Sequence, residues 1–203
     1  MTARLAIADL MRFKSKSRIS DLARFYKTGP GEYGEGDLFI GGSVPQTRSV
    51  AKKYQNLSIT ELAKLFKSPF HEARLCAAII LNHQFETSKK AQERKKLFDF
   101  YLIQVKANRV NNWDLVDVSA PRMGRYLAEI DDPMPLLIKL SRSKSLWERR
   151  VSIILTFALI RIGDFEPTIV IAEILLKDNQ DLIHKAVGWM LREVGKRDVM
   201  LLR

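Results

Sequence analysis

The chain has one cysteine, three histidines and no alternating strand pattern. Each shortage excludes something. Cys76 has no partner for an internal disulfide, which fits a reducing compartment. Its setting in the apolar run Leu75-Cys76-Ala77-Ala78-Ile79-Ile80-Leu81 makes it a small core residue rather than a nucleophile. His71, His83 and His184 lie far apart, with no H-x-x-x-H or C-x-x-C spacing, so neither a metal site nor a metal cofactor is expected. No apolar run reaches the roughly 18 residues of a membrane span. The opening stretch, MTARLAIADLMRFKSKSR, is amphipathic, contains Asp9 and lacks a cleavage signature, so no signal peptide is expected. The expected location is cytoplasmic, associated with the nucleoid.

What is present is apolar mass and positive charge. Of 203 residues, 46% are hydrophobic and 28% charged, enough to bury a sizeable core and too few charges for a disordered tail. The length suits a single domain over 1–203. Lys and Arg number 34 against 23 Asp and Glu, a net charge of +11. That excess favours polyanions as partners, nucleic acid or an anionic membrane surface, although a basic protein with no such partner has the same composition.

Helical periodicity runs through most of the chain and predicts an all-α fold of about eleven or twelve helices. Pro45 opens a helix through Val50 and Tyr54. Ser58-Ile59-Thr60-Glu61 reads as a capping box ahead of Leu62, Leu65 and Phe66. A helix after Ser68-Pro69 carries Leu75, Ile79 and Phe85. A long one over 91–107 has Leu97, Tyr101, Ile103 and Val105 on its apolar side, and Asn111-Asn112 caps another at Trp113. Pro121, Pro133 and Pro135 punctuate the C-terminal half of the chain.

Segments beginning at Phe70, Leu146 and Ile183 resemble one another, with a more divergent copy near Asn111. Each has charged or small residues early, aliphatic or small ones later, and a shorter amphipathic helix before it. A spacing of roughly 35–40 residues is that of HEAT-like antiparallel helix pairs, which stack into a right-handed superhelical solenoid whose second helices line the concave face. An irregular helical bundle is the alternative. One segment stands apart: six of the ten glycines lie between Gly29 and Gly42. Gly29-x-Gly31-x-x-Gly34 has the form of a dinucleotide fingerprint, but it follows a helix rather than a strand, and Glu32, Glu35 and Asp37 would repel phosphate. Residues 27–44 are read as an ordered loop between helices whose Lys27–Thr28 edge is a candidate DNA contact.

Asn111-Asn112-Trp113-Asp114-Leu115-Val116-Asp117 is the most informative stretch. Trp113 and Asp117 are four apart, on one helical face, with Asp114 turned away from it. A carboxylate on a concave surface built for polyanions needs a task or a cationic mate. Two plain readings stand: Trp113 as core, and Asp117 as the ion-pair partner of Arg122 or Arg150. Trp147 and Trp189 fall in the later second helices, so stacked repeats would let Trp113, Asp117, Arg150 and Trp189 converge in one groove. Arg109, Arg122, Arg125, Arg142, Lys144, Arg149, Lys185, Arg192 and Lys196 would then grip a phosphate backbone, or else simply form a solvated basic face.

Trp113-Asp114-Leu115-Val116-Asp117, Leu146-Trp147-Glu148-Arg149-Arg150 and Lys185-Ala186-Val187-Gly188-Trp189-Met190-Leu191-Arg192-Glu193 together resemble the DNA alkylation repair family, the HEAT-like-repeat alkylpurine DNA glycosylases of the AlkD type. The resemblance covers most of the chain from about Arg24. It implies a DNA repair hydrolase that excises cationic N3- or N7-alkylated purines from double-stranded DNA without flipping the base; that chemistry needs no cofactor, and a monomer is the default expectation. It also implies roles. Asp117 matches the catalytic carboxylate, Trp113 and Trp189 the aromatic pair against the lesion's deoxyribose and backbone, and Arg150 the cleft arginine. Arg149, Lys185, Arg192, Arg122 and Lys27 are the further DNA-binding candidates.

The family continues through at least one more helix pair beyond Arg203, so the C-terminal cap is expected to be truncated. Two readings stand beside the enzyme: a non-catalytic HEAT-repeat protein that binds DNA structures, and a helical-repeat scaffold for a protein partner.

Overall fold

The computed structural model describes residues 1–202, and among these it is all-helical. The α-helices are α1 (Ala3–Met11), α2 (Lys16–Phe25), α3 (Val44–Lys53), α4 (Ile59–Phe66), α5 (His71–Thr87), α6 (Ala91–Lys106), α7 (Trp113–Met123), α8 (Met134–Ser141), α9 (Leu146–Leu155), α10 (Phe157–Arg161), α11 (Glu166–Leu175) and α12 (Asp181–Gly195). Short 3-10 stretches follow α7 (Gly124–Glu129) and α12 (Met200–Leu202). The only extended pairing among the described residues is one parallel bridge between Leu38 and Phe70. The chain divides into two compact units, Met1–Leu115 and Val116–Arg203.

In the first unit α5 is the centre, with α1, α3, α4 and α6 against it. Its sequence explains that position. Ala73, Cys76, Ala77, Ala78, Ile80 and Leu81 are all fully buried, so the helix is apolar around most of its girth, and its small residues let neighbours approach closely. Cys76 is free, and burial pushes its thiol up to about 12, which keeps it protonated.

Helix starts are partly as the sequence suggests. Pro45 lies in the first turn of α3, but the closed capping box is at Ser43 and Gln46: Gln46 N donates to Ser43 Oγ, and Ser43 N donates to Gln46 Oε1 at 2.7 Å. The expected box at α4 is only half made. Glu61 N donates to Ser58 Oγ, yet the Glu61 carboxylate turns to Ala3 N at 2.7 Å and to Lys64 instead. On α6, Leu97, Tyr101 and Val105 are buried at four-residue spacing, whereas Ile103, expected with them, is 59% exposed because it falls on the opposite face.

The glycine-rich segment is an ordered run of turns. Ile40 N and Gly41 N both donate to the buried Glu72 carboxylate, at 2.9 and 2.8 Å. Gly41 is required where it stands: φ is +95°, and a Cβ there would lie 2.5 Å from the Ser15 carbonyl oxygen. By contrast, α2 buries none of its residues.

The second unit packs α8 and α12 on α9, with α11 against α8 and α12. Val151, Ile153, Ile154, Leu155, Ile160, Ile183 and Met190 form its interior. Pro121 lies inside α7 rather than ending it, and α7 gives way to a 3-10 turn just after it. Proline has no N–H to return to the Asp117 carbonyl one turn earlier, which weakens the helix at that point. Among the described residues no helix is long and apolar enough to cross a membrane.

Candidate functional site

In the second unit, α7 supplies Asp117 and α9 supplies Arg150. The Arg150 guanidinium donates from Nε to Asp117 Oδ1 at 3.1 Å and from Nη2 to Oδ1 and Oδ2 at 2.8 and 2.9 Å. Its remaining nitrogen, Nη1, donates to the Leu182 carbonyl at the start of α12. Arg150 is thus fixed by both neighbours. Its side chain is 5% exposed while that of Asp117 is 25% exposed. The result is a partly exposed carboxylate held through both oxygens by a buried cation.

Arg149, the next residue, faces elsewhere. It donates from Nε to Asp178 at 2.6 Å and from Nη1 to the carbonyls of Ser143 and Lys144, tying the entry of α9 to the α11–α12 connection. Trp189, on α12, is half-buried, its ring tilted against Phe157 at 5.9 Å. Trp147 is core.

In the first unit, Trp113 ends a stack of three aromatic rings. Tyr26 lies between Phe39, at 5.3 Å and 20°, and Trp113, at 5.5 Å and 19°. Phe25 stands edge-on to both Tyr26 and Trp113, at 5.1 and 5.7 Å. Trp113 is half-buried and Phe25 is 61% exposed. Behind the stack lies a buried ionic chain. Asp114 Oδ2 accepts from the Tyr26 hydroxyl at 3.2 Å and is 2.8 Å from His71 Nε2. His71 Nδ1 is 3.3 Å from Asp37 Oδ2, and Asp37 Oδ1 is 2.6 Å from Arg74 and accepts from Asn111 at 3.1 Å.

Burial alone would push the His71 pKa down, but the charge and hydrogen bond of Asp114, with help from Asp37, raise it to about 9. Asp37 shows the converse balance: burial pushes its carboxyl up, and the His71 hydrogen bond and the Arg74 charge bring it below its ordinary value. Burial, followed by the Asp114 charge, pushes the Tyr26 phenol well above its usual range.

Residues 6–203 match the sequence model of the DNA alkylation repair enzyme family. The chain belongs to that family. A solved structure from Enterococcus faecalis, described as a predicted DNA alkylation repair enzyme, has the same fold: it superposes with a TM-score of 0.69 at 16% identity, covering 93% of this chain and 86% of its own. No curated protein sequence matches the chain.

In this DNA alkylation repair family member Asp117 and Arg150 form a joined pair, one of the pairings open from sequence. Arg122 donates from Nη1 to the Val118 carbonyl on its own helix. Lys185 and Arg192 are exposed on α12, Lys185 in an ion pair with Asp181 at 2.6 Å. Lys27 is exposed, with its ammonium 5.9 Å from the Tyr33 ring centre.

The sequence assigns no task to Tyr26, Phe39, Arg74 or Asp114, shows Asp37 only as an acid that would repel phosphate, and shows His71 only as a histidine without metal-ligand spacing. The partners of Asp37 lie 34, 37 and 74 residues away, beyond the reach of local sequence pattern.

Proposed function

We propose that the protein is a DNA repair glycosylase that hydrolyses the N-glycosidic bond of cationic N3- or N7-alkylated purines in duplex DNA without flipping the base. The observation that carries this reading is the Asp117 carboxylate, partly exposed and gripped through both oxygens by the buried Arg150 guanidinium. An alkylated purine already bears a positive charge, so it departs as a neutral base without an added proton. The remaining barrier is the oxocarbenium character that grows on the sugar, and an ionised carboxylate held in place stabilises that charge. The same carboxylate orients the attacking water and accepts its proton as the new C1′–O bond forms.

Trp113 and Trp189 are the aromatic faces for the deoxyribose and backbone, each adding about 0.5–2 kcal/mol of attraction to developing positive charge. Arg150 acts by holding Asp117, and Lys27, Arg122, Lys185 and Arg192 are the candidate phosphate contacts; Arg149, expected among them, is instead spent on Asp178 and the carbonyls of Ser143 and Lys144. In this reading the helix pairs α4–α5, α8–α9 and α11–α12 are HEAT-like repeats of one functional domain acting as a monomer in the nucleoid-bearing cytoplasm.

Release of free base from duplex DNA containing N7-methylguanine tests the reading, with wild type beside Asp117→Asn. Wild type should release the base; the variant should release none and bind DNA as tightly or more tightly, having lost a negative charge. Unchanged release by Asp117→Asn would sink the mechanism, and release by neither protein would leave a non-catalytic DNA-binding function.

A further inference from the structure

Helix α2 is only shallowly packed: Ile19, Leu22 and Ala23 are half-buried on one face, and no residue of the helix is fully buried. Its surroundings are strongly basic: Lys14, Lys16, Arg18 and Arg24 are all exposed, and none forms an ion pair or side-chain hydrogen bond among the described residues. Asp21 is the one acid between Lys14 and Lys27.

Phe25, at the end of this helix, is seven residues from Arg18 and on the same face. Arg18, Asp21, Leu22, Arg24 and Phe25 line an open recess of about 350 Å³ on the surface of the helix. An exposed aromatic ring costs solubility and contributes nothing to the core. Here it is also held still, because its edge contacts reach the Phe39–Tyr26–Trp113 stack.

We infer that the α2 recess is a second nucleic-acid subsite that holds one unpaired nucleotide of a DNA strand. The base lies on the face of Phe25, its amino or imino hydrogens within reach of the Asp21 carboxylate. Arg18 and Arg24 hold the flanking phosphates, and Lys14 and Lys16 extend the contact along the backbone. An aromatic face interleaved with cations is how proteins grip unstacked bases with little regard to sequence. Asp21 disfavours a bare phosphate inside the recess and so assigns that volume to the base. The inference rests on the premise of the glycosylase reading that DNA is the ligand, and its Phe25 ring leans on Trp113, but it requires nothing of Asp117.

The test is equilibrium binding of the full chain to unmodified fluorescent duplexes, one intact and one carrying a single-nucleotide bulge. Wild type should prefer the bulge by about tenfold, the size of one base–aromatic stack. Phe25→Ala should abolish that preference while leaving affinity for the intact duplex unchanged; with Phe25 exposed, the variant folds. Arg18→Ala with Arg24→Ala should weaken both complexes and reduce the slope of log K against log[salt] by about 2. Equal affinity of wild type for both duplexes, or a bulge preference that survives Phe25→Ala, overturns the proposal. So does displacement of the bulged duplex by free deoxynucleoside monophosphate at a similar concentration, since the site would then take a metabolite rather than a strand. Because no base release is measured, the subsite and the glycosylase reading stand or fall separately.

Discussion

His71 lies 2% exposed between two carboxylates, with Asp37 at one ring nitrogen and Asp114 at the other. A neutral imidazole has one N–H and can satisfy only one of them, so the arrangement demands the doubly protonated cation. Arg74 and Tyr26 also face this cluster and complete its charge balance. The folded pKa of about 9 exceeds the ordinary 6.5, so the proton bound in the folded state stabilises the fold. This contribution is fully present below about pH 6.5, declines as pH rises and is gone above about pH 9. Its size is on the order of 3 kcal/mol. Urea midpoints for wild type should therefore fall between pH 6.5 and 9, and those of His71→Gln should lie lower and vary much less; parallel profiles would show that the cation does not hold the cluster. At the acid end Asp37, whose carboxyl is lowered, contributes stability that is lost as pH drops through its folded value. Asp117 and Arg150 are legible in the sequence as one of two options because both sit on strongly periodic helices. His71 is there only one of three scattered histidines, for its partners come from a loop and from a helix 43 residues on.

At the scale of elements, the features legible in the sequence are those governed by local physics. Pro45 entering α3, the span of α6 and the start of α7 at Trp113 all depend on neighbours a few residues away. The box at α4 is half made for a non-local reason: Glu61 is drawn to the N–H of Ala3, 58 residues away. Two glycines separate these effects experimentally. Gly188 is exposed in the body of α12, and a Cβ there meets nothing within 4 Å. Gly188→Ala should stabilise by about 1 kcal/mol through helix propensity alone, raising Tm by about 2–4 °C. Gly124 sits where the chain leaves α7, and a Cβ there would lie 2.1 Å from the Leu155 carbonyl oxygen. Gly124→Ala must push backbone from backbone and should destabilise by about 1–3 kcal/mol or more. Thermal melts of the two variants check both, and shifts of the same sign would refute the assignment of Gly124 to close packing.

Across the whole molecule the positive charge is unevenly placed. Met1–Leu115 carries 20 Lys and Arg against 11 Asp and Glu, a net +9, whereas Val116–Arg203 carries 14 against 12, a net +2. The carboxylate proposed for catalysis thus lies in the nearly balanced unit, and most of the attraction for polyanions lies in the other. Balance in the second unit is also local: Lys185 pairs with Asp181 and Lys196 with Glu193, each at 2.6 Å. A lysine already beside a carboxylate must leave it to reach a phosphate, so it displaces fewer counterions from DNA than an unpaired one. Removing Lys14 and Lys16 together should reduce the salt slope of duplex binding by nearly 2, about 0.9 for each phosphate no longer neutralised. Removing Lys185 and Lys196 should reduce it by clearly less, although the number of charges removed is the same. The comparison needs only affinities over a range of salt concentrations on unmodified duplex. Equal reductions would mean that the ion pairs of Lys185 and Lys196 open on binding, and the grip on DNA would then be shared by the two units despite their difference in net charge.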